Sequence, residues 1–163
     1  MSEVYLGNPN LKKANTAIEF TQEQVLEFVK CKEDPVYFAN NYIKIVSLDE
    51  GLTQFHPYDF QEKLIHNFHE NRFNICKMPR QTGKSTTVVS YLLHYAVFND
   101  SVNIGILANK AATARELLSR LQTAYENLPK WMQQGIISWN KGSLELENGS
   151  KILAASTSAS AVR

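Results

Sequence analysis

The chain has 163 residues, 44% hydrophobic and 20% charged, the profile of an ordinary globular protein long enough for one domain with its own core. Its formal net charge of +1 supplies no global basic field, so nucleic-acid binding does not follow from charge. Cys31 and Cys76 lack metal-ligand spacing and suit a reduced cytoplasmic compartment; no signal-peptide pattern is present, and no apolar run approaches the roughly 20 residues of a membrane span.

Residues 1–20 are polar, with Gly7, Pro9 and several Asn, and read as an arm or linker. Thr21 and Gln24 form a capping-box pattern for a helix carrying Val25, Leu26, Phe28 and Val29. Asp34-Pro35 places an N-cap and a first-turn proline at the head of a second helix with Val36, Phe38, Ala39, Tyr42 and Ile43. Residues 21–55 thus form a mainly helical lead-in expected to pack on the core built by the later residues. The run Ile43–Glu50 ends in Asp49-Glu50, as a Walker B strand does, but it precedes the phosphate-loop pattern. It is read instead as a short strand or helix end running into the Gly51 turn.

Phe55–Arg72 contains Pro57-Tyr58-Asp59-Phe60-Gln61, which looks like the glutamine-centred element by which helicase-like ATPases read adenine. A helix comes next, with Leu64, Ile65 and Phe68 on one face. His66 and His69 lack a third ligand and read as solvated. Gln61 is expected to make a bidentate amide contact to adenine, against the plainer reading of a surface helix glutamine.

The stretch Phe73–Thr86, F-N-I-C-K-M-P-R-Q-T-G-K-S-T, reads as an apolar strand, a loop and the head of a long helix. That is the context of a P-loop, where backbone amides and the helix dipole favour a phosphate. Met78 stands at the first glycine position of G-x-x-x-x-G-K-[ST], so the strict pattern fails by one residue. The candidate nucleotide-binding residues are Phe60, Gln61, Pro79, Arg80, Gln81, Thr82, Gly83, Lys84, Ser85 and Thr86. Gly83 lets the backbone approach the phosphate, Lys84 reaches the β/γ-phosphates and Ser85 takes Mg²⁺. Arg80 puts a guanidinium within a few residues of the bound phosphates.

Thr86–Asn99 and Ala111–Leu128 carry helical apolar faces. Val102–Ala108 reads as a strand buried on both faces, with Asn109-Lys110 at its carboxyl end. The order strand, loop, helix, strand, helix predicts parallel strands. Short strands are expected at Ile136–Asn140, Ser143–Glu147 and Lys151–Ala155, with a hairpin at Asn148-Gly149. Glu145 and Glu147 alternate with leucines and are assigned to the solvent face. Ser156–Arg163 reads as a small-residue loop.

Together, P-Y-D-F-Q, M-P-R-Q-T-G-K-S-T, G-I-L-A-N-K, W-N-K-G-S-L-E-L-E-N-G-S and the terminal S-A-V-R are similar to the large terminase subunit of tailed bacteriophages, myovirus type. The resemblance spans nearly the whole chain. It implies an α/β P-loop NTPase of RecA/helicase-like kind, a parallel sheet flanked by helices, incomplete here, with a helical lead-in and a C-terminal β-hairpin. The nucleotide-binding part would be residues 56–163. It implies ATP and Mg²⁺ as cofactors, Lys84 and Arg80 as catalytic residues with Arg80 a cis arginine finger, and adenine around Phe60 and Gln61. Its implied partners are double-stranded viral DNA, the portal protein, the small terminase subunit and further copies in a ring on the prohead, in the host cytoplasm. A full large terminase continues into a Walker B strand, a catalytic glutamate and a nuclease. None is found in these residues, and the end at Arg163 reads as a truncated product, a split gene or a fragment. Efficient hydrolysis by this chain alone is therefore not expected. The competing readings are a helicase-like DNA translocase, a non-catalytic nucleotide-binding module and, less in keeping with the upstream glutamine element, a small-molecule kinase.

Overall fold

The computed structural model describes residues 3–47 and 49–157. The arm is a hairpin of β1 (Val4–Tyr5) and β2 (Asn8–Lys12), paired antiparallel. Its two turn residues, Leu6 and Gly7, both have positive φ, the backbone twist that closes tight hairpins. The arm is docked: Leu11 is buried. The amide of Gln133 accepts from Lys12 N–H at 3.0 Å and donates to the carbonyls of Asn10 and Leu128 at 2.9 and 3.0 Å.

Helix α1 (Gln22–Glu33) starts with the expected capping box, Thr21 Oγ1 accepting from Gln24 N–H and Gln24 Oε1 from Thr21 N–H. Helix α2 (Pro35–Tyr42) starts where Asp34 Oδ1 accepts from the amides of Val36 and Tyr37. An antiparallel hairpin, β3 (Lys44–Ser47) and β4 (Gly51–Gln54), is next, with Asp49 and Glu50 exposed in its turn. Then come α3 (Asp59–Glu70), α4 (Lys84–Phe98), β5 (Asn103–Ala108) and α5 (Ala111–Glu126). The chain closes the described region with β6 (Ile136–Trp139), β7 (Ser143–Leu146) and β8 (Lys151–Ser156). The architecture is mixed α/β.

The main sheet has the order β5-β8-β7-β6, parallel between β5 and β8 and antiparallel elsewhere. Helix α5 packs on β5 and β8, and α4 packs on α5, α3 and α2. The core is the meeting of Val89, Leu93 and Val97 of α4, Leu118 and Leu121 of α5, and Ile106, Leu144 and Ile152 of the sheet. The β7–β8 turn at Asn148-Gly149 also closes the C-terminal end of α4, where carbonyls lack intrahelical partners. Asn148 Nδ2 donates to Ala96 and Asn99 carbonyls, and Ser150 Oγ to Asn99.

Four expectations change. Phe73–Met78 is not a strand, and Phe73 and Ile75 are exposed. A strand needs a neighbour for its amides and carbonyls, and among the described residues nothing pairs with this stretch. The parallel pair is accordingly β5 with β8. Strand β5 is covered on one face only: Ile106 is buried under α5, while Asn103, Gly105 and Leu107 are open. Glu147 is not a solvent-face residue. It accepts from the amides of Gly135 and Asn15, both at 2.8 Å, and pairs with Lys12 at 3.1 Å, tying the arm to β7. Burial alone would raise its pKa, but those amides and the lysine hold it below the ordinary carboxylate value. Glu145 does stand at the surface side, paired with Lys151 at 2.9 Å. The terminal S-A-V-R, with Arg163, and Leu48 within the Ile43–Glu50 run lie outside the described residues.

Candidate phosphate-binding site

The site is built where α3 and α4 begin. Helix α4 starts after Gly83, whose φ of 71° and ψ of 13° lie in the left-handed region, where glycine carries no Cβ penalty. The first bond of the helix runs from Thr87 N–H to the Gly83 carbonyl at 3.0 Å, and among the described residues no side chain caps the helix. The amides of Lys84, Ser85 and Thr86 precede that bond, the arrangement that favours an anion at a helix head. Gln81 also has a positive φ, 62°, a conformation uncommon for a residue with a side chain and one found at ligand-binding loops.

Inside the loop, one carbonyl gathers two donors. Pro79 O accepts from Lys84 Nζ at 3.2 Å and from Thr82 Oγ1 at 3.1 Å. The lysine is thus folded over its own loop, held by a neutral partner that an anion would outcompete. Arg80 is exposed and forms no ion pair among the described residues. Ser85 and Lys84 border a cavity of about 210 Å³ that Leu64, Cys76, Leu92 and Ile106 also line. Thr86 faces a different cavity, of about 460 Å³, shared with Lys44, Val46 and Arg120.

Helix α3 supplies the other wall. Gln61 is 3% exposed, neither a surface glutamine nor a free amide. Its Oε1 accepts from Tyr58 N–H at 2.9 Å, and its Nε2 donates to the Thr82 carbonyl at 3.1 Å. A Cβ placed on Gly83 would lie 2.4 Å from Gln61 Nε2, so the amide sits against the glycine that starts α4. Beside it, the rings of Tyr58 and Phe60 stack, centroids 5.9 Å apart with an interplanar angle of 13°. They are 69% and 46% exposed.

The structure therefore brings Gln61, Thr82, Gly83, Lys84 and Pro79 together, with Ser85 and Thr86 in the adjoining first turn of α4. Arg80 and Gln81 lie on the outer side of the loop, both exposed. Asp49 and Glu50 remain in the β3–β4 turn, and His66 and His69 are exposed on α3. Sequence reasoning missed Tyr58 as an exposed ring beside the site; its signal was position, three residues ahead of Gln61 where a helix N-cap falls. It also missed His94, whose buried ring bonds the Cys31 carbonyl at 2.9 Å.

The donor set fits the triphosphate and Mg²⁺ that the resemblance implies. Uncapped amides and a primary ammonium beside them suit phosphate oxygens. The Ser85 hydroxyl is one hard oxygen suited to Mg²⁺, an ion that keeps several waters and takes phosphate oxygens as further ligands.

The model of one protein family, described as terminase large subunit, T4likevirus-type, N-terminal, matches residues 75–163. The match takes in the loop, α4, β5, α5 and the antiparallel strands, and leaves Phe60 and Gln61 outside it. With more than half of its length matched, the chain belongs to the T4likevirus-type terminase large subunit family, as a member of its N-terminal part.

Proposed function

We propose that this chain binds ATP with Mg²⁺ through a P-loop at Pro79–Thr86 and forms the nucleotide-binding part of a motor that packages double-stranded viral DNA into a prohead. The observation that supports this most is the uncapped start of α4 at a left-handed Gly83, with the Lys84 ammonium folded over the loop onto Pro79 O. Amides that no side chain satisfies and a cation next to them are what a bound phosphate chain needs.

In this reading Lys84 and the amides of Gly83–Thr86 hold the β- and γ-phosphates, and the Ser85 hydroxyl holds Mg²⁺. Arg80, unpaired by any carboxylate among the described residues, would offer its guanidinium to the charge that builds on the γ-phosphoryl group. Pro79, Gln81 and Thr82 shape the loop, and Phe60 with Tyr58 offers an aromatic face to the base. The bound metal neutralises phosphate charge. Residues 56–163 act as the nucleotide-binding part of a P-loop NTPase fold, with residues 21–55 as its lead-in and residues 1–20 as a docked arm. Family membership supports the wider setting: viral DNA, a portal protein and a small terminase subunit as partners, and a ring of copies on the prohead in the host cytoplasm.

A second reading, nucleotide binding without turnover, draws support from one observation. Among the described residues, those lining the cavity beside Ser85 are apolar apart from Ser85, Cys76 and Lys84, and none is a carboxylate that could activate water.

Hydrogen exchange tests the proposal. Mg-ATP should slow exchange of the amides of Gly83–Thr86 and leave β6 and β7 unchanged. Unchanged exchange at Gly83–Thr86 with saturating Mg-ATP would refute it.

A further inference from the structure

Strand β3 has one neighbour and one open edge. Among the described residues it pairs with β4 alone, Lys44 opposite Gln54 and Val46 opposite Leu52. Phe55 N–H donates to the Ile43 carbonyl at 2.8 Å, which fixes the alternation of the ladder. Ile43, Ile45 and Ser47 turn their backbone groups toward β4, and Lys44 and Val46 turn theirs away. Two N–H and two C=O groups therefore stand along the outer edge of β3 with no ladder partner.

The cavity of about 460 Å³ that Thr86 faces runs along that edge. All four residues 43–46 line it and no residue of β4 does, so it follows the side of β3 that β4 leaves free. Its far wall is helical: Thr86 and Val89 lie one turn apart on α4, and Arg120, Thr123 and Ala124 share a face of α5. A groove between an open strand edge and a helix suits an extended peptide. The peptide backbone bonds the edge as a further strand, and alternate side chains enter the groove.

The side chains state which peptide. Val89 and Ala124 are buried and give the groove an apolar floor. At its rim stand two exposed cations. Lys44 has no ion pair among the described residues, and Arg120 pairs with Glu116 of its own helix. Among the described residues no carboxylate lines the groove. A lysine on an open edge repels a second copy of that edge and favours an acidic strand. This chain's own stretch of alternating apolar and acidic residues, Leu144-Glu145-Leu146 in β7, is already paired on both sides. A second copy therefore has no such strand to give.

We propose that the groove between β3 and α5 is a docking site for a partner protein, which adds an extended segment of alternating apolar and acidic residues as a strand beside β3. The apolar side chains enter toward Val89 and Ala124, and the acidic ones meet Lys44 and Arg120. Of the phosphate-site residues only Thr86 borders the groove, so the inference stands or falls apart from nucleotide binding.

The probe is the synthetic peptide acetyl-Glu-Val-Glu-Val-Glu-Val-amide, titrated into the full chain and followed by amide NMR. Saturable binding should shift the amides of Lys44 and Val46 and slow their hydrogen exchange, and leave β6 and β7 unchanged. The same peptide with lysine in place of glutamate should bind at least about tenfold more weakly, as should the acidic peptide to Lys44→Glu, through loss of a charge-assisted contact. Lys44 is exposed, so that variant keeps its fold. Val46→Pro removes one outward N–H and none of the β4 ladder, a change that edge strands accept, and should also weaken binding about tenfold. An acidic peptide methylated at every backbone nitrogen reads the same bonds from the ligand side, without touching the fold, and should not bind.

No saturable binding of the acidic peptide, or equal binding of the acidic and basic peptides, would overturn the inference. So would binding that moves other amides and leaves Lys44 and Val46 in place. Undiminished binding of the methylated peptide would reduce the contact to charge attraction, and acetyl-Glu-Val-amide binding as tightly as the hexapeptide would make the groove a pocket for small anions. Either result overturns strand addition. Shifts of the Lys44 and Val46 amides with protein concentration alone, with a dimer in sedimentation, would assign the groove to a second copy and overturn the choice of partner.

Discussion

The ammonium of Lys84 and the carbonyl of Pro79, five residues apart, lie 3.2 Å from one another across the loop. This bond holds the side chain over the loop but joins no two elements of the fold, and the lysine is only half-buried. Lys84→Ala should accordingly leave the melting temperature within a few degrees of wild type, as surface substitutions do. A drop of ten degrees or more would assign the lysine a structural role and remove it as a clean probe of binding.

Gly83 and Gly51 make a matched pair. Their φ angles are 71° and 70°, but a Cβ on Gly51 meets nothing within 4 Å, whereas one on Gly83 meets Gln61 Nε2 at 2.4 Å. Gly51→Ala should cost only the left-handed penalty, about 1–2 kcal/mol. Gly83→Ala adds the displacement of a buried, doubly bonded amide and should cost about 1 kcal/mol or more beyond that. Urea unfolding of both variants measures the difference. Equal losses would mean that Gln61 moves aside without cost.

His94 makes stability depend on pH. Burial lowers its pKa from 6.5 to about 4, a shift to which His69 adds and which the hydrogen bond to the Cys31 carbonyl opposes. Its Nδ1 has no partner among the described residues. Between those two values the unfolded chain binds the proton and the folded chain does not. Stability is therefore full above about pH 6.5 and lost as pH falls toward 4, by on the order of 3 kcal/mol in all. Glu147, held below the ordinary carboxylate value, adds to the loss only at lower pH, as the carboxylates begin to titrate. Urea midpoints should fall between pH 7 and 5 in the wild type and stay flatter there in His94→Phe. The same slope in both proteins would contradict this assignment.

Gln133 holds the arm. It is 3% exposed, and its amide serves the β2 backbone, with Lys12 donating to it and Asn10 accepting from it, together with the carbonyls of Tyr125 and Leu128 at the end of α5. Gln133→Leu leaves those groups unpaired and should destabilise the protein by about 2–3 kcal/mol. Limited proteolysis should then cut within residues 3–20 faster than in wild type. Unchanged cleavage would show that Leu11 and the Glu147 contacts suffice.

Local chemistry was legible in the sequence wherever a few neighbouring residues decide the outcome. Thr21 with Gln24, Asp34 with Pro35, and Asn148-Gly149 each satisfy backbone groups within a short span, and each does so in the structure. Gly83-Lys84-Ser85 likewise marked the head of α4. Contacts between distant residues were not legible. The bond from Gln61 to Thr82 crosses 21 residues, that from His94 to Cys31 crosses 63, and Glu147 reaches Asn15 across 132. Apolar runs misled for a related reason: Phe73–Met78 and β5 have the residues of buried strands, but burial depends on the neighbours they find. Nothing in their own composition states which neighbours those are.

The most direct measurement is a calorimetric titration of Mg-ATP into the wild type and Lys84→Ala side by side. Saturable binding to the wild type, weakened at least about tenfold in the variant through loss of a charge-assisted contact, is the expected result. No binding to the wild type, or equal binding to both proteins, would contradict a phosphate site at the head of α4.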